Sequence, residues 1–145
     1  GWRIGFMAAP LPIAKAVSAI QSHSTSNPTS FAQSGAVQAL DGPQDHLRDW
    51  LNEFSRRRSF AFEKLNSMEG ISCVNAQGAF YLFPNISATG MKSAHFCKEL
   101  LSEAKVAAIP GIAFGADDYI RISYATSMGN LQKALDRVAG YVKSL

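Results

Sequence analysis

One arginine lies in a predicted strand of apolar and small residues, and its type and position suggest anion binding. Over residues 119–125, successive side chains alternate between the two faces of this strand. Arg121 falls on the face opposite to Ile120, Ile122 and Tyr124. A guanidinium stays protonated and presents a planar fork that fits a carboxylate with two parallel hydrogen bonds. From the strand alone, Arg121 is either paired with a built-in acid or with solvent, or it binds an anionic ligand.

A second arginine, Arg3, lies between Trp2 and Ile4 in another apolar stretch. On its own it either snorkels to solvent, pairs with an acid, or binds a phosphate. The polar connection Ser22–Pro28 is most simply a loop, but its row of hydroxyl groups also suits contact with a phosphate.

Other residue types that carry chemistry show no convincing arrangement. The three histidines lack metal-ligand spacing, so no metal site is predicted. Gly111 and Gly115 match neither common phosphate-loop pattern. Asp117 and Asp118 are interpreted as a turn rather than a pair of catalytic carboxylates. Four aromatic residues are interpreted as core residues rather than as a stack against a cofactor: Phe80, Tyr81, Phe83 and Phe114.

Composition narrows the class of protein. With 145 residues, 47% of them hydrophobic, the chain is long enough for a real core. A net charge of +3, without a concentrated basic face, gives no indication of nucleic-acid binding. No apolar run reaches the roughly 20 residues of a membrane span, and no secretory signal is visible. Cys73 and Cys97 stand alone, which predicts reduced thiols in a cytoplasmic protein.

The spacing of apolar residues, together with the positions of proline and glycine, predicts the helices and strands that position these residues. Helices are expected at about 12–22, from Asn27 and Pro28 to Asp41, at 45–68, from Ser93 to Ala104, and after Ser127. Strands are expected at 2–9, 71–74, 79–83, 106–109 and 119–125, with 71–74 and 79–83 forming an antiparallel pair. A turn at Pro110 and Gly111, with Gly111 at positive φ, leads into the strand of Arg121. The expected fold class is α+β (α/β), a small, largely antiparallel sheet with helices on one face.

The breaker at residues 41–43 predicts a domain boundary, with domains at 1–42 and 43–145. The helix after it, about 35 Å long at 1.5 Å per residue, is expected to run along both domains. One apolar stripe is predicted along it: Leu47, Leu51, Phe54, Arg58, Phe62, Leu65 and Met68. The basic run Arg56–Arg58 is interpreted as a solvated face, with contact to an anion or a partner as the alternative.

Several of these segments together resemble one enzyme family. The run Gly1–Gly5 is similar to the segment that follows the Schiff-base lysine of class I/II aminotransferases, which are pyridoxal-phosphate enzymes of fold type I. The run Gly78–Pro84 resembles their G-A-F-Y-x-F-P motif, and 109–125 resembles their P-G-x-x-F-G…R-I-S-Y-A ending. Ser24–Pro28 resembles a segment of the aspartate aminotransferase branch. The chain is thus identified as the C-terminal portion of such an enzyme, with residues 1–42 as the tail of the cofactor domain and 43–145 as the small domain.

The resemblance implies roles for three residues. Arg3 corresponds to the arginine that binds the phosphate of pyridoxal 5'-phosphate, and Arg121 to the arginine that binds the substrate α-carboxylate. Phe80 lies on the strand that, by this resemblance, lines the substrate side. The implied activity moves an amino group between an aspartate-like amino acid and a 2-oxo acid, in a homodimer with Ser24–Asn27 near the dimer interface.

The resemblance also implies what this chain lacks. The Schiff-base lysine would lie just ahead of Gly1, and Lys15, on a predicted helix surface, does not replace it. No catalytic residue is therefore predicted within the chain, and the chain alone is expected to be inactive. Two alternatives remain: a pyridoxal-phosphate-dependent lyase of the same fold, and the cofactor-sensing domain of a transcription regulator.

Overall fold

The computed structural model describes residues 2–145 and contains five α-helices and three short strands in that range. In chain order they are α1 (Leu11–Ser24), α2 (Ser30–Asp41), α3 (Asp45–Asn66), β1 (Tyr81–Leu82), α4 (Ser93–Ala104), β2 (Ile109–Pro110), β3 (Ile120–Ser123) and α5 (Met128–Lys143). Two short 3-10 helices lie at Ser87–Thr89 and Gly111–Phe114. The chain divides into two compact units, the first ending at His46 and the second spanning Leu47–Leu145.

The first unit consists of an irregular segment followed by α1 and α2. The predicted helix with a proline in its first turn is confirmed as α1, and α2 ends at Asp41 as expected. The predicted start of α2 at Asn27 and Pro28 is wrong, because Thr29 occupies the position before its first turn. Ala32 is the buried residue of these two helices, so the unit has little core of its own.

The strand predicted at residues 2–9 is wrong. A strand is defined by backbone pairing with a neighbour, and the sheet of the described residues contains only β1, β2 and β3. Arg3 also has a φ of 59°, in the left-handed region, which interrupts an extended backbone. The ring of Trp2 instead packs edge-on against Phe31, with 5.3 Å between the ring centroids.

The second unit is built on an antiparallel sheet of three strands in the order β1-β3-β2. Tyr81 lies opposite Ser123, and Ile109 lies opposite Arg121. Residues opposite each other on neighbouring antiparallel strands share a face. One face of the sheet therefore carries Tyr81 and Arg121, and the other face carries the buried residues Leu82, Ile120 and Ile122.

The buried face packs against α3, α4 and α5 in one hydrophobic core. Its central members are Ala61, Leu65, Leu82, Phe96, Leu100, Ile120, Leu131, Leu135 and Val138. The predicted alternation in β3 is confirmed, because Ile120, Ile122 and Tyr124 are all buried. The predicted cap of α5 is also confirmed, with the Ser127 hydroxyl accepting a hydrogen bond from the backbone N–H of Asn130 at 3.2 Å. The α+β class with a small antiparallel sheet and helices on one face is thus confirmed.

Two predicted strands are shorter than expected. Residues 71–74 make only one bridge, between Ser72 and Asn85, because the Asn66 amide bonds both the N–H and the C=O of Cys73 at 3.0 and 3.1 Å. Those backbone groups are then not available for a β-ladder. The predicted antiparallel pairing of residues 71–74 with 79–83 is therefore wrong. The strand that pairs with β1 is β3. Of the strand predicted at 106–109, only Ile109 pairs with β3.

The long helix α3 ends at Asn66, two residues before the predicted end at Met68. Only the later part of its predicted stripe is buried: Leu65 and Met68 belong to the core, whereas Leu47 and Leu51 are exposed. Leu101 and Leu145, whose helical spacing predicts buried positions in the last two helices, are exposed as well. Leu101 follows the buried Leu100 and is rotated by about 100° around the helix axis from it.

Candidate functional site

The site is centred on Arg121, on the middle strand of the sheet in the second unit. Its guanidinium carbon lies 4.3 Å from the ring centroid of Tyr81 and 4.7 Å from that of Phe114. These distances are typical of cation–π contacts. Within residues 2–145 no acidic side chain forms a salt bridge with Arg121. The alternative of a built-in acidic partner therefore does not hold in this part of the protein.

The two rings reach Arg121 from different elements. Tyr81 lies on β1, and its register with Ser123 places its side chain on the same sheet face as Arg121. Phe114 comes from the 3-10 helix Gly111–Phe114, which follows β2 on the other side of β3. Phe114 as a whole residue is 49% exposed. The guanidinium is therefore held by aromatic contacts in a place that an external anion can reach.

Further rings extend this aromatic surface. Phe83 stacks on Tyr119 with 5.0 Å between ring centroids and meets Phe114 edge-on at 6.0 Å. The interpretation of Phe80, Tyr81, Phe83 and Phe114 as core residues is wrong, since none of the four is buried. For Tyr81 and Phe83 parity explains this result, because odd-numbered positions along β1 and β3 lie on the face opposite to the core.

The turn that carries Phe114 is fixed by a buried serine. Ser93 is fully buried, and its hydroxyl donates to the Asp117 carboxylate at 2.7 Å and accepts from the Ile112 N–H at 3.2 Å. The backbone N–H of Ser93 also donates to the Asp117 carbonyl at 2.9 Å. The interpretation of Asp117 and Asp118 as turn residues agrees with these contacts, with Asp118 paired to Lys92 at 2.9 Å.

Gly111 is required in this turn, although for a different reason than predicted. Its φ is not positive; the positive φ of this turn belongs to Gly115. A Cβ added to Gly111 would overlap the carbonyl oxygens of Ala116 and Tyr119. The backbone N–H of Gly111 donates to the Tyr119 carbonyl at 2.8 Å. Close backbone approach, and not a left-handed conformation, is therefore what demands glycine here.

Phe80, a predicted substrate residue, lies directly before β1 and is 42% exposed. Its ring centroid is 4.5 Å from that of Tyr81, which in turn contacts Arg121. Its carbonyl accepts a hydrogen bond from the backbone N–H of Tyr124 at 3.0 Å. Phe80 and Arg121 therefore both contact the ring of Tyr81, while Phe80 also lies 6.3 Å from the ring of Phe54, centroid to centroid.

A third arginine supports this region through a contact that the sequence did not predict. The sequence placed Arg58 both in the apolar stripe of α3 and in a solvated basic run; it is half-buried and donates to the Ala76 carbonyl at 3.1 Å. Nearby, the Tyr124 hydroxyl donates to the Ala79 carbonyl at 2.8 Å. Burial raises the pKa of Tyr124, and the positive charge of Arg58 partly opposes that rise. Both bonds hold the loop that leads into Phe80.

Arg3 belongs to the first unit, where it is exposed. It lines a pocket of about 770 Å³ together with polar residues of α1 and of the connection that follows. These polar residues are Ser18, Gln21, Thr25, Asn27 and Thr29. Within this unit, the structure therefore brings Arg3 and part of the hydroxyl-rich connection into one pocket.

The described residues also bear on metal binding, on the two cysteines and on membrane crossing. No cluster of metal-ligating side chains occurs among residues 2–145. Cys73 and Cys97 are free and buried, and burial raises the pKa of the Cys97 thiol to about 11. None of the helices in the described range combines the length and hydropathy that a membrane crossing requires.

Comparison with known proteins gives consistent matches over the whole chain. Residues 1–138 match the family described as aminotransferase class I and II. The aspartate aminotransferase of Geobacillus stearothermophilus is 45% identical over 149 residues, covering 99% of this chain and 38% of that enzyme. The aspartate aminotransferase of Bacillus subtilis is also 45% identical, with the same coverage.

Solved structures agree with the sequence matches. The aspartate aminotransferase of Rhizobium meliloti superposes with a TM-score of 0.87 at 39% identity, covering 98% of this chain and 38% of that one. An aromatic aminotransferase from Pyrococcus horikoshii gives a TM-score of 0.89 at 38% identity, covering 99% of this chain and 39% of that one. The chain therefore spans well under half the length of the relatives it matches.

Proposed function

The chain belongs to the class I and II aminotransferases, and on that premise we propose that the complete protein transfers an amino group between an amino acid and a 2-oxo acid. The observation that carries the proposal is the family match over residues 1–138. The relatives named aspartate aminotransferases favour an aspartate-like substrate. In this proposal the chain is the C-terminal portion of the enzyme, with domains at 1–42 and 43–145.

Arg121 is proposed to bind the α-carboxylate of the amino acid. It has no acidic partner in the described range, and its neighbours are the rings of Tyr81 and Phe114, which leave its N–H donors available. A bidentate contact fixes the plane of the carboxylate as well as its position. That contact orients the Cα–H bond of the substrate for the reaction, which a single lysine ammonium would do less well. Phe80 is proposed to line the substrate side beside it.

Arg3 is proposed to bind the phosphate of pyridoxal 5'-phosphate. The pocket it lines combines a permanent cation with hydroxyl and amide donors, and this donor set fits a phosphate dianion. The cofactor, when bound, supplies the electron sink that stabilises negative charge at the substrate Cα. The role of Arg3 is to anchor the cofactor by charge and hydrogen bonding. No catalytic lysine is assigned within this chain.

A homodimer is proposed as the functional assembly. In the first unit, large apolar side chains such as Phe6, Leu11, Ile20 and Leu40 are more than half exposed. Exposed apolar surface of this extent is typical of a unit that is covered by other parts of a protein. A cytoplasmic location is proposed from the two free thiols. Nothing in the relatives named above favours the lyase or the transcription-regulator alternative.

Steady-state kinetics of the complete protein tests the proposal. We expect turnover of L-aspartate with 2-oxoglutarate, and we expect Arg121→Lys to lower kcat/KM by about 10- to 100-fold. That range corresponds to the loss of one charge-assisted hydrogen bond of about 1.5–3 kcal/mol. Arg137→Lys, an exposed change on α5, is the matched control and should leave kcat/KM within twofold. A native protein without transamination, or an Arg121→Lys variant with unchanged kcat/KM, would contradict the proposal.

A further inference from the structure

We propose that Phe114 is a positioning residue for the reaction: its ring holds the guanidinium of Arg121 in the orientation that receives the substrate carboxylate. The inference rests on the proposed function, because it assumes that Arg121 binds that carboxylate. It adds a residue that acts through Arg121 and does not itself contact the reacting atoms.

The first argument is the way Arg121 is held. Arginine has four side-chain torsions, and a surface arginine usually loses much of its rotamer freedom only when it binds a ligand. Here the contacts of the guanidinium within the described range are the two rings, Tyr81 at 4.3 Å and Phe114 at 4.7 Å. A ring at this distance attracts the cation without using its N–H donors. The orientation is therefore restricted while the hydrogen-bonding edge stays available.

The second argument is that Phe114 is itself held in place. It ends a 3-10 helix whose residue Ile112 donates its backbone N–H to the buried Ser93 hydroxyl at 3.2 Å. The following residue, Gly115, has a φ of 78° and donates to the Ile112 carbonyl at 3.0 Å, closing the turn. The Phe83 ring meets the Phe114 ring edge-on at 6.0 Å. A ring with this much support can orient a flexible cation, whereas an unsupported one would move with it.

The third argument concerns exposure. Phe114 is 49% exposed although it is a large apolar residue, so its position is not explained by burial in the core. Its ring lies on the sheet face that carries Arg121, together with Phe83 and Tyr119. Covering part of the guanidinium with a ring also removes water from it, which strengthens its interaction with an incoming carboxylate. The exposed position of Phe114 therefore serves Arg121 rather than the hydrophobic core.

The test compares Phe114 variants in the complete protein, with L-aspartate and 2-oxoglutarate as substrates. Phe114→Leu should raise KM by about two- to tenfold, the fold-change that corresponds to ordering one free side chain on binding. kcat should stay within twofold, because preorganisation contributes equally to ground-state and transition-state binding. Phe114→Tyr keeps the ring and should restore KM to within twofold of native. Phe60→Leu, a half-buried phenylalanine of α3 that makes no ring contact with Arg121, is the matched control.

A double variant separates positioning from a structural effect. In an Arg121→Ala background, Phe114→Leu should change KM by less than twofold, since the cation that the ring positions is gone. The inference would be overturned if Phe114→Leu raised KM as much in that background as in the native protein. It would also be overturned if Phe114→Leu and Phe60→Leu changed KM equally. Should Phe114→Leu fold poorly by circular dichroism, Phe114→Met, which keeps most of the side-chain volume, replaces it in the same comparison.

The two proposals fail in different ways. If Arg121→Lys leaves kcat/KM unchanged, the proposed role of Arg121 fails. If Arg121→Lys lowers kcat/KM but Phe114→Leu has a native KM, only the positioning role of Phe114 fails.

Discussion

The substitution Ser93→Ala removes one hydroxyl and should destabilise the turn that holds Phe114 against Arg121. Ser93 is completely inaccessible to solvent, and its hydroxyl connects the start of α4 to two parts of the 111–118 turn. It donates to the Asp117 carboxylate at 2.7 Å and accepts from the Ile112 N–H at 3.2 Å. Alanine fits the same space but makes neither bond.

The expected loss of unfolding free energy follows from these two bonds. A hydrogen bond to a charged group contributes about 1.5–3 kcal/mol, and the neutral bond from the Ile112 N–H contributes about 0.5–1.5 kcal/mol. Alanine recovers about 0.5 kcal/mol through its higher helix propensity. The carboxylate of Asp117 keeps one bond, from the Ser93 backbone N–H at 3.2 Å. We therefore expect a net destabilisation of about 1.5–4 kcal/mol.

Urea unfolding followed by far-UV circular dichroism measures this loss. Ser102→Ala is the matched control on the same helix, because its hydroxyl is exposed and bonds only neighbouring positions of α4. The control should change the unfolding free energy by no more than about 0.5 kcal/mol. If Ser93→Ala is as mild as Ser102→Ala, then the Ser93 hydroxyl does not hold the turn, and the support described for Phe114 is incorrect.

Two further predictions concern the turn glycine and a buried phenol. Gly111→Ala should destabilise the protein by about 3 kcal/mol or more in urea unfolding, because its Cβ would overlap two carbonyl oxygens, whereas Gly140→Ala, with open space around it inside α5, should stabilise it by up to about 1 kcal/mol. Equal effects of the two changes would contradict the reason given for Gly111. Burial, aided by a hydrogen bond to Glu99 at 2.9 Å, raises the pKa of Tyr141 to about 12 from an ordinary value of 10.0. The neutral phenol is thus favoured in the folded state, so its contribution to stability should be complete below pH 10 and lost between pH 10 and 12. Ultraviolet titration should show a phenol component near pH 12 that disappears in Tyr141→Phe, and a Tyr141→Phe titration curve identical to native would refute the assignment.

Local patterns were enough to predict the elements whose signals are strong. Proline in the first turn defined α1, Ser127 defined the start of α5, and alternation around Arg121 defined the faces of β3. These features depend on residues close together in the sequence. The family resemblance then indicated Arg121, Arg3 and Phe80 as binding residues, and their roles stay proposals.

The errors arise where distant contacts override local preference. Residues 71–74 have strand-like composition, but the Asn66 side chain bonds the backbone of Cys73. Residues 2–9 look like a strand but have no strand beside them in the described range. The support of Arg121 by Phe114 and Ser93 was also missed, because both contacts join residues that only the fold brings together. Knowledge of the β1–β3 register would have placed Tyr81 beside Arg121, since side chains on one face alternate with period two.

The central claim is that Arg121 receives a substrate carboxylate, and the most direct measurement is a crystal structure of the complete protein with maleate bound. The account predicts that one carboxylate of maleate accepts two N–H bonds from the Arg121 guanidinium, each about 2.7–2.9 Å long, with the rings of Tyr81 and Phe114 still against the cation. A maleate bound elsewhere, with Arg121 contacting only the rings or turned to an acidic side chain, would contradict it.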